Sequence, residues 1–278
     1  MVPLPELRHQ TSLALGVGGR LFTIECKCEQ TKGLIETVFS ALVCPARAGE
    51  RSARRYNVIG PDLSGGFVIE DETGSHATDA LDDLIYQIDK KITIALQLER
   101  PELFFLHAAA VSVNGRVVAL PAFPGTGKST FTLALLESGH QYLSDELAPV
   151  DLRHLTVEPY PHALCLKSSP PAPYAVPHGT VHVNRRLHVP VESLPAATRR
   201  DPLPLRAIVF PRRDATRFRG LRPVTTASAA TSLMAHLLNG LAHRHYGLDA
   251  AITLSRAVPC FELDVTDLPA AVGEIAAL

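Results

Sequence analysis

A glycine-rich turn near the middle of the chain constrains the fold more than any other feature. The segment Ala122-Phe-Pro-Gly-Thr-Gly-Lys-Ser129 leads directly into an apolar helical pattern. In such a turn the backbone N–H groups and the helix N-terminus point at a bound anion, and the helix dipole favours its negative charge. The pattern therefore predicts a phosphate-binding loop. The residues predicted to bind the nucleotide are Pro124, Gly125, Thr126, Gly127, Lys128, Ser129 and Thr130.

The flanks of this turn agree with a phosphate loop. Val117–Leu120 has the pattern of a buried strand, and Thr130–Leu136 that of a helix ended by Gly139. Lys128 is predicted to reach the β- and γ-phosphates of ATP, and the hydroxyl of Ser129 to bind Mg²⁺. One position departs from the usual pattern, because Ala122 stands where the first glycine is expected.

The strand before the loop is predicted to belong to a β-hairpin. Asn114-Gly115 separates two alternating apolar segments, and Asn-Gly favours a type I′ turn because both central residues need positive φ. Most phosphate-loop nucleotidases enter this strand from a parallel βα unit instead. The sequence therefore predicts a mixed sheet.

Two carboxylates follow the next predicted strand. Gln141–Ser144 has a strand pattern, and Asp145 and Glu146 come directly after it. Carboxylates beside a phosphate loop can bind Mg²⁺, which prefers oxygen ligands, or accept a proton from an attacking hydroxyl. Both roles fit this pair.

These motifs together resemble the catalytic core of HPr kinase/phosphorylase. The resemblance covers His107, the Asn114-Gly115 hairpin, the Gly125–Ser129 loop, and Gly139-His140 followed by Asp145-Glu146, with a weaker similarity over 159–168. It implies an α/β fold related to phosphoenolpyruvate carboxykinase: a phosphate-loop core with a mixed sheet and the antiparallel hairpin, plus a small N-terminal α+β region. As a whole the chain resembles the divergent HPr-kinase-related proteins of bacterial gene clusters, some of which phosphorylate a serine of a lasso-peptide precursor.

Two differences from that family stand out. The family's second acidic residue is Asp, and here it is Glu146. The later glycine-rich signature, associated with the reverse phosphorylase reaction and with oligomeric assembly, is not found, and 206–213 does not match it. Whether a phosphorylase activity exists is therefore left open.

The resemblance and the residues predict an ATP- and Mg²⁺-dependent kinase that transfers the γ-phosphate to a serine hydroxyl of a peptide or small protein. In this hypothesis Lys128 neutralises phosphate charge and Asp145 accepts the hydroxyl proton, while Ser129 and Glu146 bind the metal. His107 orients Asp145 or contacts the phosphate. The roles of Asp145 and Glu146 can be exchanged. Two alternatives stay open: a kinase of a small hydroxylated metabolite such as a free amino acid, and a nucleotide-sensing regulator without transferase activity.

Composition narrows the choice of partners and compartment. The chain has 278 residues, 46% hydrophobic content and a formal net charge of −1, so neither a nucleic-acid partner nor a polybasic membrane surface is expected. The first eight residues lack the basic start and apolar stretch of a signal peptide, and the five cysteines have no disulfide-framework spacing. A cytoplasmic location is expected. The sequence leaves ATP versus GTP and the oligomeric state open, with a homo-oligomer as one possibility.

The chain divides by pattern into two regions. Residues 1–76 are predicted to be a small strand-rich N-terminal region, with a basic loop at Arg47–Arg55. Residues 77–278 are predicted to form the nucleotide-binding catalytic domain, beginning with a helix over Thr78–Arg100. The Pro-rich segment 168–204, which contains Asn184-Arg185-Arg186, is predicted to be a lid, a binding loop or disordered. A further helix is predicted over Ala227–His245.

Overall fold

The computed structural model describes residues 11–45, 51–213 and 220–278, and in these parts the protein is a mixed α/β structure with three sheets. Residues 1–10, 46–50 and 214–219 therefore lie outside the described part, and the second of these ranges includes the first four residues of the predicted basic loop. The helices found in the described ranges are α1 (Glu29–Val38), α2 (Leu81–Glu99), α3 (Lys128–Glu137), α4 (Thr226–His236), α5 (Leu248–Ala257) and α6 (Leu268–Ala276). No helix in these ranges is long and apolar enough to cross a membrane.

The first sheet contains five strands in sequential order. They are β1 (Thr11–Val17), β2 (Arg20–Cys26), β3 (Arg54–Ile59), β4 (Phe67–Asp71) and β5 (Gly74–Thr78). Arg54 and Arg55 lie in β3, not in the basic loop that the sequence predicted, because the alternation that buries Tyr56 and Val58 starts at Arg54. The predicted boundary at residue 76 falls inside β5, and the sheet continues to Thr78.

Helix α2 packs against this first sheet and also against the rest of the chain. The apolar residues of α2 at helical spacing are buried, with Ile88 and Ile92 in a single cluster with Ile24 of β2. The same cluster includes Phe105 and Leu147, which follow α2 in the sequence. The N-terminal sheet and the following region therefore share a continuous hydrophobic core.

The remaining strands form a central sheet and a small one. They are β6 (Phe104–Val113), β7 (Arg116–Pro121), β8 (Gln141–Ser144), β9 (Leu147–Asp151), β10 (Thr156–Val157), β11 (Leu164–Leu166), β12 (Val181–Val183), β13 (Arg186–Val189), β14 (Leu203–Arg212), β15 (Arg222–Pro223) and β16 (Cys260–Asp264). The central sheet has the order β10-β9-β6-β7-β14-β16-β15, with β8 beside β6. The small sheet has the order β11-β13-β12.

The hairpin predicted from Asn114-Gly115 is present. Strands β6 and β7 pair antiparallel with Val113 opposite Arg116, and φ is 52° at Asn114 and 76° at Gly115. Strand β7 also pairs in parallel with β14, which pairs in parallel with β16. The central sheet is therefore mixed, as the sequence predicted.

Helices cover both faces of the central sheet because its strands are apolar on both sides. Val118 and Leu120 of β7 pack in one cluster with Phe131 of α3 and Ile275 of α6. Val117 and Ala119, the alternate residues, pack in another cluster with α4 and α5. This layering fixes the position of β7 and α3, and with them the glycine-rich turn.

Two segments differ from the sequence prediction. The Pro-rich segment 168–204 includes β12 and β13, whose Val183 and Val189 are buried, so its central part is regular and packed, while 168–180 is irregular as predicted. The helix predicted over Ala227–His245 ends at His236. Asn239 explains the early end, since its buried side chain bonds to the backbone N–H of Phe105 and the carbonyl of Leu103.

Candidate active site

The glycine-rich turn connects β7 to α3 and leaves the N-terminus of α3 open. Gly125 and Gly127 have φ of 90° and 95°, a left-handed conformation that favours glycine. Gly127 is the N-cap residue and supplies no side-chain cap, so the amides of the first turn remain available to a ligand. Helix α3 begins at Lys128, two residues before the predicted start.

Lys128 is buried at the start of α3 and lies between a histidine and a carboxylate. Its Nζ is 3.1 Å from Nε2 of His107 and 3.6 Å from Oε2 of Glu146. Nδ1 of His107 lies 3.1 Å from Oε1 of Glu146. Because a lysine ammonium has only donors, His107 accepts through Nε2 and carries its proton on Nδ1, which donates to Glu146. His107 thus contacts Glu146, whereas the sequence predicts that it orients Asp145 or contacts the phosphate.

The charges of this cluster influence each other. Burial lowers the pKa of Lys128, and the carboxylates of Glu146 and Asp145 oppose that shift. Glu146 has its pKa lowered to about 2, because a hydrogen bond from His107 and the charge of Lys128 outweigh the effect of burial. Glu146 is therefore ionised at neutral pH.

Asp145 is more enclosed than its neighbour and has three hydrogen-bond partners. Its Oδ2 accepts from the Ser129 hydroxyl at 3.0 Å and from the backbone N–H of Cys165 at 3.3 Å. Its Oδ1 accepts from the Tyr142 hydroxyl at 2.9 Å. Only 2% of Asp145 is exposed, whereas the Glu146 side chain is 42% exposed. The two carboxylates therefore have different surroundings.

The position of these carboxylates in the sheet explains that difference. β8 and β9 both pair with β6, with Ser144 opposite Ala110 and Leu147 opposite His107, so the two carboxylates lie between two strands that pair with the same neighbour. The pairing of β8 also shifts register between Tyr142 and Ser144. A bend at Asp145 and Glu146 interrupts the strand. Successive residues of a regular strand point to opposite faces, but at this bend one carboxylate meets Ser129 and the other meets His107 within a single cleft.

A buried histidine that the sequence did not single out lies beside Asp145. Nε2 of His162 is 3.9 Å from Oδ1 of Asp145 and 3.9 Å from Oδ1 of Asp89, a residue of α2. Burial disfavours its charged form, but Asp89, Asp145 and Glu146 outweigh burial and raise the pKa of His162. His162 belongs to the segment 159–168, which carried the weaker part of the resemblance. The sequence does not indicate Asp89 as a site residue, because there it is only one polar position of an amphipathic helix.

One cleft of about 830 Å³ is lined by His107, Lys128, Ser129, Asp145, Glu146, His162 and Asp89. Helix α2 forms one wall, from Asp82 to Gln97, a length of about 22 Å at 1.5 Å per helical residue. Phe123 lies at the mouth with 53% of its surface exposed, and its ring centroid is 4.4 Å from that of His236. Burial lowers the pKa of His236 to about 4, so this ring is neutral.

The cleft contains most of the residues that the sequence nominated. His107, Lys128, Asp145 and Glu146 line it, as do the loop residues Pro124, Gly125, Gly127, Ser129 and Thr130. Of the basic cluster at 184–186, Arg186 lines the cleft, whereas Arg185 is exposed and outside its lining. Arg213 also lines the cleft, and no sequence pattern had indicated it.

The oxygen donors at the loop fit a magnesium ion. The Ser129 hydroxyl and the Asp145 carboxylate are hard oxygen ligands 3.0 Å apart. Across the described residues, no group of three or more His, Cys, Asp or Glu side chains is placed to bind a metal. Mg²⁺ usually binds to one or two protein oxygens and completes its coordination shell with substrate phosphates and water.

Comparison with known proteins finds similarity to solved structures at low sequence identity. No family model matches the chain, and no curated protein matches it. Among solved structures, the HPr(Ser) kinase/phosphatase from Coxiella burnetii is similar at 15% sequence identity, over 62% of this chain and 93% of that chain, with a TM-score of 0.31.

Proposed function

We propose that this protein is an ATP- and Mg²⁺-dependent phosphotransferase that phosphorylates a serine hydroxyl of a peptide or small protein. The observation that carries the proposal is the contact between Ser129 and Asp145, which joins the open N-terminus of α3 to the carboxylate pair. Lys128, 3.6 Å from Glu146, completes the set of groups that phosphoryl transfer requires.

The residues of the loop would bind the nucleotide. The amides at the start of α3 and the ammonium of Lys128 supply positive potential for the phosphates. Ser129 and Asp145 would bind Mg²⁺, which when present neutralises phosphate charge and orients the phosphates. This assigns the metal to Asp145, where the sequence had favoured Glu146, because Asp145 is the carboxylate that already contacts Ser129.

Glu146 is then the carboxylate that binds the acceptor hydroxyl and accepts its proton. Its side chain is half-exposed to the cleft, and the Nδ1–H of His107 holds its Oε1 in place. A pKa of about 2 makes Glu146 a weak base. That suffices for phosphoryl transfer, in which the transition state is loose and catalysis consists mainly of positioning and charge stabilisation. His107 is a positioning residue for Glu146 and Lys128.

The shape of the cleft favours an extended acceptor over a small metabolite. Its wall along α2 is about 22 Å long, which matches six or seven residues of extended chain at about 3.3 Å each. A free amino acid would occupy a small part of that length.

The test is transfer of label from γ-labelled ATP to a size-fractionated lysate of the source organism, with Lys128→Met as the matched inactive variant. Label on peptides or proteins with the wild type alone is expected. Label confined to metabolites, or no transfer despite nucleotide binding, would contradict the proposal.

A further inference from the structure

The small sheet presents two like charges, one just after the end of β11 and one at the start of β13. β11 and β13 pair with Cys165 opposite His188 and Leu166 opposite Leu187. β11 ends at Leu166, so Lys167 follows it at a bend, while Arg186 is the first residue of β13. Like charges at neighbouring positions of paired strands destabilise a sheet.

The alternation of side chains along β11 and β13 separates a face that is buried in the core from a face that lines the cleft. Leu164, Leu166 and Val189 point into a hydrophobic cluster shared with Leu133 of α3. The alternate residues Cys165, Lys167, Arg186 and His188 all line the cleft. The two cations therefore face the space in which a substrate would bind.

Neither cation is neutralised by the protein. Among the residues that the structure describes, Lys167 and Arg186 form no ion pair with a carboxylate, whereas Lys91, Arg100 and Arg212 do. Nearby acidic groups are engaged: Asp82 accepts from Asn184 at 2.7 Å and Asp89 accepts from Tyr160 at 2.7 Å. Lys167 and Arg186 are therefore available to bind an anion from a ligand.

A buried imidazole on the same face lacks a partner as well. His188 is 4% exposed, and its Nε2 has no hydrogen-bond partner in the described structure. Buried polar atoms are normally hydrogen-bonded, so an unpartnered one that lines a cleft points to a ligand. Burial and the charges of His162 and Arg186 lower the pKa of His188 to about 4, so the ring is neutral and can donate one N–H.

We infer that Lys167, Arg186 and His188 form a subsite for a carboxylate carried by the acceptor, close to the hydroxyl that receives phosphate. This inference rests on the proposed function. The nucleotide phosphates have their own partners in the α3 N-terminus and Lys128. The subsite is near the chemistry, because Cys165 donates its N–H to Asp145 at 3.3 Å and Lys167 follows Cys165 by two residues, or at most about 7 Å of chain. The hydrogen bond of Asn184 to Asp82 connects this sheet to the start of α2.

Three sources could present such a carboxylate: a chain end at the serine, an acidic side chain next to it, or a free hydroxy amino acid. Three matched pairs of probes separate them. In each pair the first probe carries the carboxylate and the second carries an amide in its place. The pairs are a tripeptide ending in serine as free acid or amide, a peptide with internal Ser-Asp or Ser-Asn, and L-serine or L-serinamide. Binding is measured by calorimetry with Mg²⁺ and a non-hydrolysable ATP analogue, for the wild type, Lys167→Gln, Arg186→Gln and the control Arg185→Gln, whose side chain is exposed outside the cleft.

In at least one pair the carboxylate form should bind the wild type about tenfold more tightly, as a charge-assisted contact provides. Lys167→Gln and Arg186→Gln should lose that preference, and Arg185→Gln should keep it. Without ligand, Lys167→Gln and Arg186→Gln should unfold at the same or a higher temperature than the wild type, because the repulsion between the two like charges is relieved. That result also shows that both variants fold.

Two results would overturn the inference: equal binding within all three pairs, or a weaker affinity of Lys167→Gln and Arg186→Gln for the ATP analogue, which assigns the cations to the nucleotide. Transfer from γ-labelled ATP to the same probes is measured in parallel. Carboxylate preference without transfer contradicts the proposed kinase and leaves the subsite standing. Transfer of phosphate without a carboxylate preference contradicts the subsite and agrees with the proposed kinase.

Discussion

The hydroxyl of Ser129 donates a hydrogen bond of 3.0 Å to Oδ2 of Asp145, and this contact joins the first turn of α3 to the bend between β8 and β9. Asp145 is 2% exposed, so the pair is shielded from bulk water. Glu146, the next residue, instead contacts His107 and Lys128. Two adjacent carboxylates therefore have separate partners, and separate roles follow for them.

Removing either oxygen ligand should weaken magnesium-dependent nucleotide binding. We expect Ser129→Ala and Asp145→Asn to lower the affinity for Mg·ATP by at least about tenfold, because each removes a metal ligand. Affinity for ATP measured without Mg²⁺ should change little. Titration calorimetry with and without Mg²⁺ checks this, with Ser138→Ala at the other end of α3 as the control.

Glu146 should affect transfer more than binding. Glu146→Gln keeps the size of the side chain and removes the proton acceptor, so the transfer rate should fall by about 10²- to 10⁴-fold while Mg·ATP binding is retained. Glu137→Gln, an exposed site at the end of α3, is the control. The opposite pattern, with transfer lost in Asp145→Asn at unchanged Mg·ATP affinity, would restore the assignment that the sequence favoured.

Lys128 should be needed for function and dispensable for folding. Burial already disfavours its charge, so Lys128→Met replaces a desolvated ammonium with an apolar chain of similar length. We expect a thermal midpoint within a few degrees of the wild type, together with at least about tenfold weaker ATP binding and no transfer. Calorimetric unfolding and nucleotide titration test both parts, with exposed Lys27→Met as the control. A large loss of stability would indicate that Lys128 is structural.

The stabilisation provided by an ion pair between α2 and the first sheet should depend on pH. Nζ of Lys91 is 2.7 Å from Oδ2 of Asp71. Burial acts to raise the pKa of Asp71, but hydrogen bonds from Lys91 and Thr73 outweigh it and lower the pKa. The stabilisation is therefore present above the unfolded-state pKa of about 3.9 and is lost as pH falls through the lower folded-state value.

A single substitution tests this connection. At pH 7 Lys91→Met should lower the free energy of unfolding by about 1–3 kcal/mol, because it leaves a largely buried carboxylate without its charged partner. At a pH below the folded-state pKa of Asp71 the difference should shrink. Urea unfolding at the two pH values measures it, with Lys90→Met as the neighbouring control. A difference independent of pH would mean that Lys91 contributes through packing alone.

Local patterns were sufficient to predict the part of the fold that carries the loop. Asn114-Gly115 predicted the β6–β7 hairpin because a type I′ turn needs residues that tolerate positive φ. Helical spacing predicted α2 over Thr78–Arg100, and the helix spans Leu81–Glu99. These elements depend on near neighbours in the sequence, which is why the sequence alone indicates them.

The remaining features depend on contacts between distant residues. Strands of three or four residues in the Pro-rich segment are stabilised by pairing with β11, so local composition predicted an irregular segment instead. His162 reaches Asp89 over more than seventy positions of sequence, and no periodicity indicates such a contact. The division of roles between Asp145 and Glu146 likewise depends on a bend in a strand, which the sequence pattern did not indicate.

Transfer of phosphate to serine is the central claim, and the chemistry of the product tests it most directly. The purified wild type is incubated with Mg²⁺, γ-labelled ATP and a pool of serine peptides, beside Glu146→Gln and Ser129→Ala. Labelled phosphoserine formed by the wild type, and reduced by at least about a hundredfold in Glu146→Gln, is the predicted result. If Mg·ATP binds yet the label is found only in ATP and inorganic phosphate, or if Glu146→Gln labels the peptides as fast as the wild type, the account is contradicted.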